Sequence, residues 1–171
     1  VVIHQALKHL VVTGNALIFM GKKNLKLYPL NRYVIDRDGN GNVIEIVTKE
    51  RISKALIEDL LPKQEPNRVS DEYNAQSDQC DIYTHVKRDN NRFVWHQEVF
   101  GKMIPGSQGK APMDANPWIA LRFNTVDAEP YGRGRVEEFM GDLKAMESLS
   151  QALVEGSAAA AKVVFTVSPS S

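Results

Sequence analysis

The carboxy-terminal stretch of the chain, residues 130–171, constrains the fold more than any other segment. Apolar side chains recur in it at intervals of three or four residues, which predicts a long helix with one apolar stripe. The stripe consists of Val136, Phe139, Met140, Leu143, Met146, Leu149 and Leu153. The helix is expected to run into a tract of small residues at 156–161. Residues 163–167 then have the β-branched and aromatic character of a strand.

Two interpretations of this helix are open. Side chains with little bulk let neighbouring backbones approach closely, so the Ala-rich end favours contact with another subunit. A helix that packs on its own domain explains the apolar stripe equally well. The strand at 163–167 has no visible partner in the sequence and invites pairing with another chain. Because the chain also begins at Val1 without Met, we expect it to be a piece of a longer protein.

The charge balance and the cysteine content argue against several classes of protein. Lys plus Arg and Asp plus Glu both number 21 among 171 residues, so no net basic field marks a dedicated nucleic-acid binder. Cys80 is the single cysteine, which excludes an internal disulfide and a multi-cysteine metal site and fits a reducing compartment. No apolar run approaches the ~18 residues that a membrane span needs, and we expect no membrane contact.

The rest of the sequence predicts an α+β fold of antiparallel hairpins with short helices. A first helix is expected to end at Gly14, and the Asp-Gly-Asn-Gly tract at 38–41 is a strong hairpin signal, because Gly and Asn tolerate positive φ. The segments 62–79 and 101–116 are predicted to be connections. The expected helices are 1–13 and 54–61, and the expected strands are 16–20, 25–28, 33–36, 43–48, 79–88, 92–100 and 117–123.

The hairpin around the turn at 90–91 predicts its own register. A two-residue turn pairs residues whose numbers sum to 181, which places Ile82 opposite Val99 on a face that is expected to be buried. The same register places His85 opposite His96 on the other face. A histidine pair can begin a zinc site, but zinc needs at least a third protein ligand. A polar pair on a half-exposed sheet face is the simpler explanation.

The first hairpin turn also matches part of a calcium site. Asp36, Asp38 and Asn40 occupy the first three ligand positions of an EF-hand loop, but the twelfth position, which needs a bidentate Glu, is Val47. The flanking residues alternate like strands, so a hairpin turn is the favoured interpretation. An α+β metal- or ligand-binding module without catalysis stays open as an alternative function.

No arrangement of residues in the sequence predicts catalysis. The stretch 101–107 has the first spacing of a P-loop, but Ser107 stands where the phosphate-binding Lys is needed, and Pro105 disfavours the helix that must follow. Neither a serine-nucleophile motif nor a zinc-protease motif is present, and adjacent carboxylates such as Glu137 and Glu138 do not face each other on a helix. We expect no enzymatic activity, no cofactor and no metal.

The order of motifs along the chain is similar to that of one protein family. The segments that carry the similarity are 5–15, 25–30, 33–38, 41–43, 81–86, 131–133, 137–138, 141–143 and 162–163. In this order they resemble the head–tail connector, or portal, proteins of short-tailed bacteriophages of the autographivirus type. The resemblance covers nearly the whole chain. It departs in the polar loop at 62–79 and in the short turn at 90–91, where insertions are tolerated.

The resemblance implies a structural role in a virus particle. Portal proteins form a ring, usually of twelve subunits, at one capsid vertex, and double-stranded DNA passes through the central channel during genome packaging and ejection. The implied divisions are a wing domain at 1–130, a stem helix at 131–161 and the start of a clip region at 162–171. The implied partners are further copies of the chain, the capsid protein, the packaging terminase, tail adaptor proteins and DNA bound without sequence preference.

The resemblance also implies where the protein is found and which side chains make its contacts. A portal is a component of the virion and is assembled in the host cytoplasm. Its DNA contacts are expected to be weak, because the chain is neutral overall. The basic residues that would face the channel or a neighbouring subunit are Arg133, Arg135, Lys144 and Lys162.

Overall fold

The computed structural model of the chain describes residues 1–53, 55–56 and 79–162. Within them it confirms the α+β class with antiparallel sheets and few helices. The expected strand at 163–167 lies outside the described residues, as do nearly all of the helix at 54–61 and of the loop at 62–79. The elements are α1 (Val2–Thr13), β1 (Asn15–Met20), β2 (Leu25–Tyr28), β3 (Tyr33–Arg37), β4 (Val43–Ser53), β5 (Gln79–Asp89), β6 (Arg92–Val99), β7 (Lys102–Met103), β8 (Gly109–Pro112), β9 (Trp118–Arg122), β10 (Asn124–Thr125), β11 (Gly132–Arg133), α2 (Arg135–Glu138) and α3 (Met140–Ala160).

Helix α1 ends where a glycine takes up left-handed backbone. Gly14 has a φ of 74°, and its N–H donates to the carbonyl of Leu10 over 3.0 Å, which is the cap that the sequence predicts. Ala6 is the buried residue of the helix, whereas Ile3 and Leu7 are 61% and 55% exposed. The helix therefore contacts the rest of the fold along a narrow face.

The main core lies where two antiparallel sheets meet. Strands β2, β1 and β9 form a three-stranded sheet in that order, and β3, β4, β5, β6 and β7 follow one another in the second sheet, with β8 also paired to β6. One buried cluster contains Leu17 and Trp118 from the first sheet and Ile46, Val86 and Phe93 from the second. The apolar faces of the two sheets are thus removed from water by one another.

The hairpin of β5 and β6 has the register that its turn predicts. Ile82 pairs with Val99 and His85 pairs with His96. Ile82 and Val99 are 5% and 0% exposed, which confirms which face is buried. Asn90 closes the turn with a φ of 51°, a conformation that Asn adopts more easily than most residues.

The segment 101–116 contains more structure than the connection predicted from its sequence. It holds β7, β8 and a 3-10 turn at Met113–Ala115. The prolines of this segment indicate a connection without strands. Pro112 is nevertheless the last residue of β8, a short strand at a sheet edge, where a residue without a backbone N–H is tolerated. Gly109 lies so close to the Trp95 indole that a Cβ atom would overlap the ring, so a larger residue at this position would have to displace the indole.

Arg37 ties the first hairpin to the remainder of the chain. Its guanidinium donates hydrogen bonds to the carbonyl oxygens of Gly41, Ala120 and Pro130 over 2.8, 3.2 and 3.0 Å. Burial, together with the neighbouring Arg122, lowers the pKa of Arg37, but an arginine remains charged at neutral pH. One side chain thus connects the turn after β3, strand β9 and the segment that precedes the long helix.

Candidate subunit interface

The segment that leads into the long helix is fixed to the end of α1 by a backbone crossing. Asn15, which is 3% exposed, donates its side-chain amide to the carbonyl of Gly132 over 2.7 Å and accepts the N–H of Gly132 over 2.7 Å. Next to it, the Tyr131 hydroxyl accepts the N–H of Ile35 over 3.1 Å. Buried polar groups cost free energy when unpaired, so these reciprocal bonds hold residues 131–132 in one place.

Three glycines make the crossing possible. A Cβ atom on Gly14 would overlap the backbone of Arg133, and one on Gly134 would overlap the carbonyl group of Val12. A Cβ atom on Gly132 would lie 2.8 Å from the carbonyl oxygen of Gly14. The two segments therefore touch backbone to backbone, and only glycine permits such an approach.

The long helix starts immediately after this crossing. The resemblance implies a stem that starts at 131, whereas the residue pattern predicts a turn up to Gly134; Gly132–Arg133 pairs with β10, and helical structure begins at Arg135. Between α2 and α3 the backbone is kinked at Phe139, where hydrogen bonds nevertheless continue: its N–H donates to the carbonyl of Arg135 over 3.0 Å, and its carbonyl accepts the N–H of Leu143 over 2.9 Å. The two helices therefore form one kinked rod.

Two of the four basic residues expected to face DNA or a neighbouring subunit are engaged within the chain. The Arg135 guanidinium lies 5.7 Å from the ring centre of Phe123 and 5.9 Å from that of Phe139, and it pairs with Glu138 at 3.6 Å. Arg133 pairs at 3.0 Å with the glutamate four residues earlier. That hydrogen-bonded carboxylate raises the pKa of Arg133. Both arginines therefore contact neighbouring side chains at the start of the helix.

Lys144 and Lys162 have a different environment. Both are exposed, and neither forms an ion pair within the ranges that the structure describes. Lys144 lies in the second turn of α3, whereas Lys162 lies two residues beyond the last helical residue, Ala160.

No side chain of α3 is buried by the described part of the chain. A soluble monomer rarely leaves a contiguous apolar surface uncovered, and burying one Leu or Met side chain is worth about 1.5–3 kcal/mol. The described body therefore does not cover the apolar stripe. The exposed apolar side chains of the helix are Met140 (42%), Leu143 (45%), Met146 (65%), Leu149 (64%), Leu153 (65%) and Val154 (70%).

The aspartates of the calcium-like motif lie in the first hairpin, and Asp38 forms hydrogen bonds within its turn. Asp36 lies in β3, and the Asp38 carboxylate accepts the N–H groups of Asn40 and Asn42 over 3.0 and 2.8 Å. Hydrogen bonds from the Asn42 side chain and backbone lower the pKa of Asp38, and Arg88 lies 3.6 Å away. The carboxylate oxygens that a cation would need thus close the turn.

The two histidines face each other but do not converge on a common point. Their rings meet edge to face at 5.3 Å. His85 bonds to Glu45, and His96 bonds to Glu98 over 2.8 Å. Within residues 1–53, 55–56 and 79–162, no group of three or more His, Cys, Asp or Glu side chains is placed to hold a metal ion.

A folded body with an apolar helix that the described residues leave uncovered is typical of a protein in which further protein covers that helix. In the part of the chain that the structure describes, no helix combines the length and the apolar character needed to cross a bilayer.

Comparison with known proteins gives the family. The model of the family "Bacteriophage head to tail connecting protein" matches residues 1–171, so the chain belongs to this family. It is 36% identical to the portal protein of Escherichia phage T7 and 39% identical to that of Enterobacteria phage T3, in each case over 99% of the chain. The portal protein of Pseudomonas phage phiKMV is 33% identical over 89% of the chain. These alignments cover 33%, 32% and 30% of the relatives, so the chain spans about a third of their length.

The sequence predicts the helix but not the crossing that positions it. From their pattern, Gly14 and Asn15 indicate only the stop of α1, and residues 127–134 indicate only a turn. The available signal is the pair of glycines on either side of Arg133, since glycines spaced in this way mark a place where another backbone approaches. Which backbone approaches depends on tertiary structure.

A matched pair of glycine substitutions tests the crossing. Gly134→Ala is expected to lower the free energy of unfolding by about 1–3 kcal/mol, the usual cost of overpacking a filled site, because its Cβ would overlap Val12. Gly39→Ala adds the same methyl group where nothing lies within 4 Å, and it is expected to change stability by less than about 0.5 kcal/mol. Urea unfolding of both variants gives the comparison, and equal stabilities would contradict the crossing.

Proposed function

We propose that this chain is part of a portal subunit, which assembles with further copies into a ring at one capsid vertex and gives DNA a channel during packaging and ejection. A ring of twelve copies is proposed, with the capsid protein, the packaging terminase and tail adaptor proteins docking on it as a virion component. The observation that carries the proposal is a helix of 21 residues in which the described part of the chain buries no side chain, in a chain matched from end to end by a connector family.

The contacts within the chain suggest which residues form each region of a portal subunit. Residues 1–130, which hold both sheets, are proposed as the wing, the kinked rod within 131–161 as the stem, and 162–171 as the start of the clip. Arg37, Asn15 and the crossing glycines fix the rod to the wing at its base, so a force on the stem is transmitted to a well-packed body. Such a protein acts by scaffolding, and we propose no catalytic step for it.

The polar side of the rod suits a passage for sliding DNA. Lys144 provides a positive charge there and Glu147 and Glu155 provide two negative charges, and Lys162 adds a positive charge just beyond the end of the helix. Affinity for DNA rises with the number of phosphates neutralised. A side whose charges cancel therefore binds the phosphate backbone weakly and without sequence preference, which favours movement over retention. Arg133 and Arg135 contribute less, because their charges are paired within the chain.

Imaging of the full-length protein tests assembly directly. Purified full-length protein is expected to form closed rings that electron microscopy resolves as particles of one stoichiometry, since the uncovered stripe favours burial against further copies. Native mass spectrometry gives the copy number, for which twelve is expected. A full-length protein that stays monomeric at micromolar concentration contradicts the proposed function.

Lysine substitutions test the DNA contact. In full-length rings, Lys144→Gln and Lys162→Gln are each expected to weaken DNA binding equally for all sequences and to reduce the slope of log affinity against log salt by roughly one for each phosphate that is no longer neutralised. Lys23→Gln, an exposed lysine in the turn between β1 and β2, is the control and should leave the slope unchanged. If the control changes the slope as much as the stem variants, these lysines are not the DNA contacts.

A further inference from the structure

A groove lies on the larger sheet, where β6 is bordered by β8 along its first half and by β7 near its end. Its volume is about 530 Å³, which is typical of ligand sites. The alternate residues that β6 contributes lie on the face opposite the buried Phe93. Among the described residues that line the groove, none has a carboxylate. The lining includes Arg92, Val94, His96, Met103, Gln108 and Lys110.

Two lysines flank the aliphatic floor of the groove. In the register of the sheet, Val94 lies opposite Lys87 on one side and opposite Lys110 on the other. Residues that lie opposite each other share a face, and each strand spacing is about 4.8 Å, so the Cα atoms of the two lysines are about 10 Å apart. Arg92 lies two residues before Val94 and shares the same face. Three cationic side chains therefore surround one aliphatic side chain.

The charges of the two lysines are not neutralised by the described part of the chain. Lys87 and Lys110 are exposed, and neither forms an ion pair within residues 1–53, 55–56 and 79–162. The groove therefore presents positive charge to a ligand. The carboxylates that lie nearest along the strands are bonded to other side chains: Glu45 to His85, Glu98 to His96 over 2.8 Å, and Asp89 to Arg92 over 3.4 Å.

The wall of the groove is held against β6 by hydrogen bonds. The Ser107 hydroxyl accepts the N–H of Gln97 over 3.0 Å and donates to the carbonyl of Ile104, a buried residue, over 2.6 Å. Met103, in contrast, is 47% exposed, and its sulfur accepts a hydrogen bond from the Gln108 amide over 3.0 Å. An exposed methionine adapts its shape to different partners and is common on surfaces that bind peptides.

We propose that this groove binds an extended acidic peptide segment of another protein, in which an aliphatic side chain lies between two carboxylates at alternate positions. The aliphatic side chain contacts Val94 and Met103, and the carboxylates pair with Lys87 and Lys110. Alternate residues of an extended segment share a face and are about 7 Å apart. A carboxylate on either side of the aliphatic residue therefore reaches the lysine on the same side of Val94. This binding does not require ring formation.

A peptide fits the groove better than DNA or a permanently packed domain. DNA offers phosphates but no aliphatic group for Val94 and Met103, and a chain with 21 basic and 21 acidic residues has no broad positive field. Lysine is depleted from the buried centres of interfaces. The exposed Lys87 and Lys110 are therefore typical of a reversible contact whose association is steered by charge.

Peptide titration into the full-length protein tests the site. The probe is a fluorescein-labelled peptide in which a leucine lies between glutamates at alternate positions, and fluorescence anisotropy gives its Kd. We expect it to bind at least about tenfold more tightly than the same peptide with glutamines in place of the glutamates. Lys87→Glu and Lys110→Glu are each expected to weaken binding of the acidic peptide at least about tenfold, whereas Lys110→Arg, which keeps the charge, should stay within about threefold of wild type.

Matched controls separate the groove from general electrostatics. Lys22→Glu makes the same charge change at an exposed lysine in the turn between β1 and β2, and it should leave the Kd within about twofold of wild type. A peptide with serine in place of the leucine should bind more weakly, because Val94 and Met103 then lose their apolar contact. Circular dichroism of each variant checks that the fold is retained.

Three results overturn the inference. Equal affinity for the acidic and the glutamine peptides shows that carboxylates are not recognised, and an equal loss in Lys22→Glu shows that the groove is not the site. A short DNA duplex that displaces the peptide and loses affinity in the same two variants identifies a nucleic-acid surface instead. Because ring formation is measured separately, each of these results leaves the proposed function intact.

Discussion

Two backbone segments more than a hundred residues apart in sequence touch without intervening side chains, and the position of the long helix depends on that contact. Asn15 satisfies both backbone groups of Gly132 over 2.7 Å, and Gly14 and Gly134 leave room for the opposite strand of backbone. Each bond is strong because water is excluded from the site. The helix begins one residue after Gly134, so the crossing fixes where it starts, and the contact of Arg135 with Phe123 lies at the same end of the helix.

The described residues form a packed body and a rod whose apolar stripe that body does not cover. The two sheets bury one another's apolar faces and are linked by Arg37 through three carbonyl oxygens. Within the part of the chain that the structure describes, helix α3 has no buried side chain, and isolated helices are marginal in water. The described body therefore does not stabilise α3 by burying its apolar stripe.

Local patterns predict much of the fold because their causes are local. The Asp-Gly-Asn-Gly turn, the left-handed cap at Gly14 and the register of β5 with β6 all follow from backbone preferences within a few residues. The crossing, the carbonyl contacts of Arg37 and the strands in 101–116 depend on partners that are distant in sequence. For the candidate interface, spacing identifies the apolar stripe but does not distinguish a helix on its own body from one between subunits. Of the four basic residues singled out, Arg133 and Arg135 pair with glutamates four and three residues away in sequence, whereas the contact of Arg135 with Phe123 depends on tertiary structure.

Helix α3, whose side chains the described residues leave exposed, is proposed to be buried when the full-length protein assembles into rings. Amide hydrogen exchange of α3 measures this most directly, because protection reports the free energy of opening for each segment. We expect weak protection of residues 140–160 in unassembled protein and strong protection in full-length rings, with the sheets equally protected in both. Rings in which 140–160 exchange as fast as in the unassembled chain would contradict the claim.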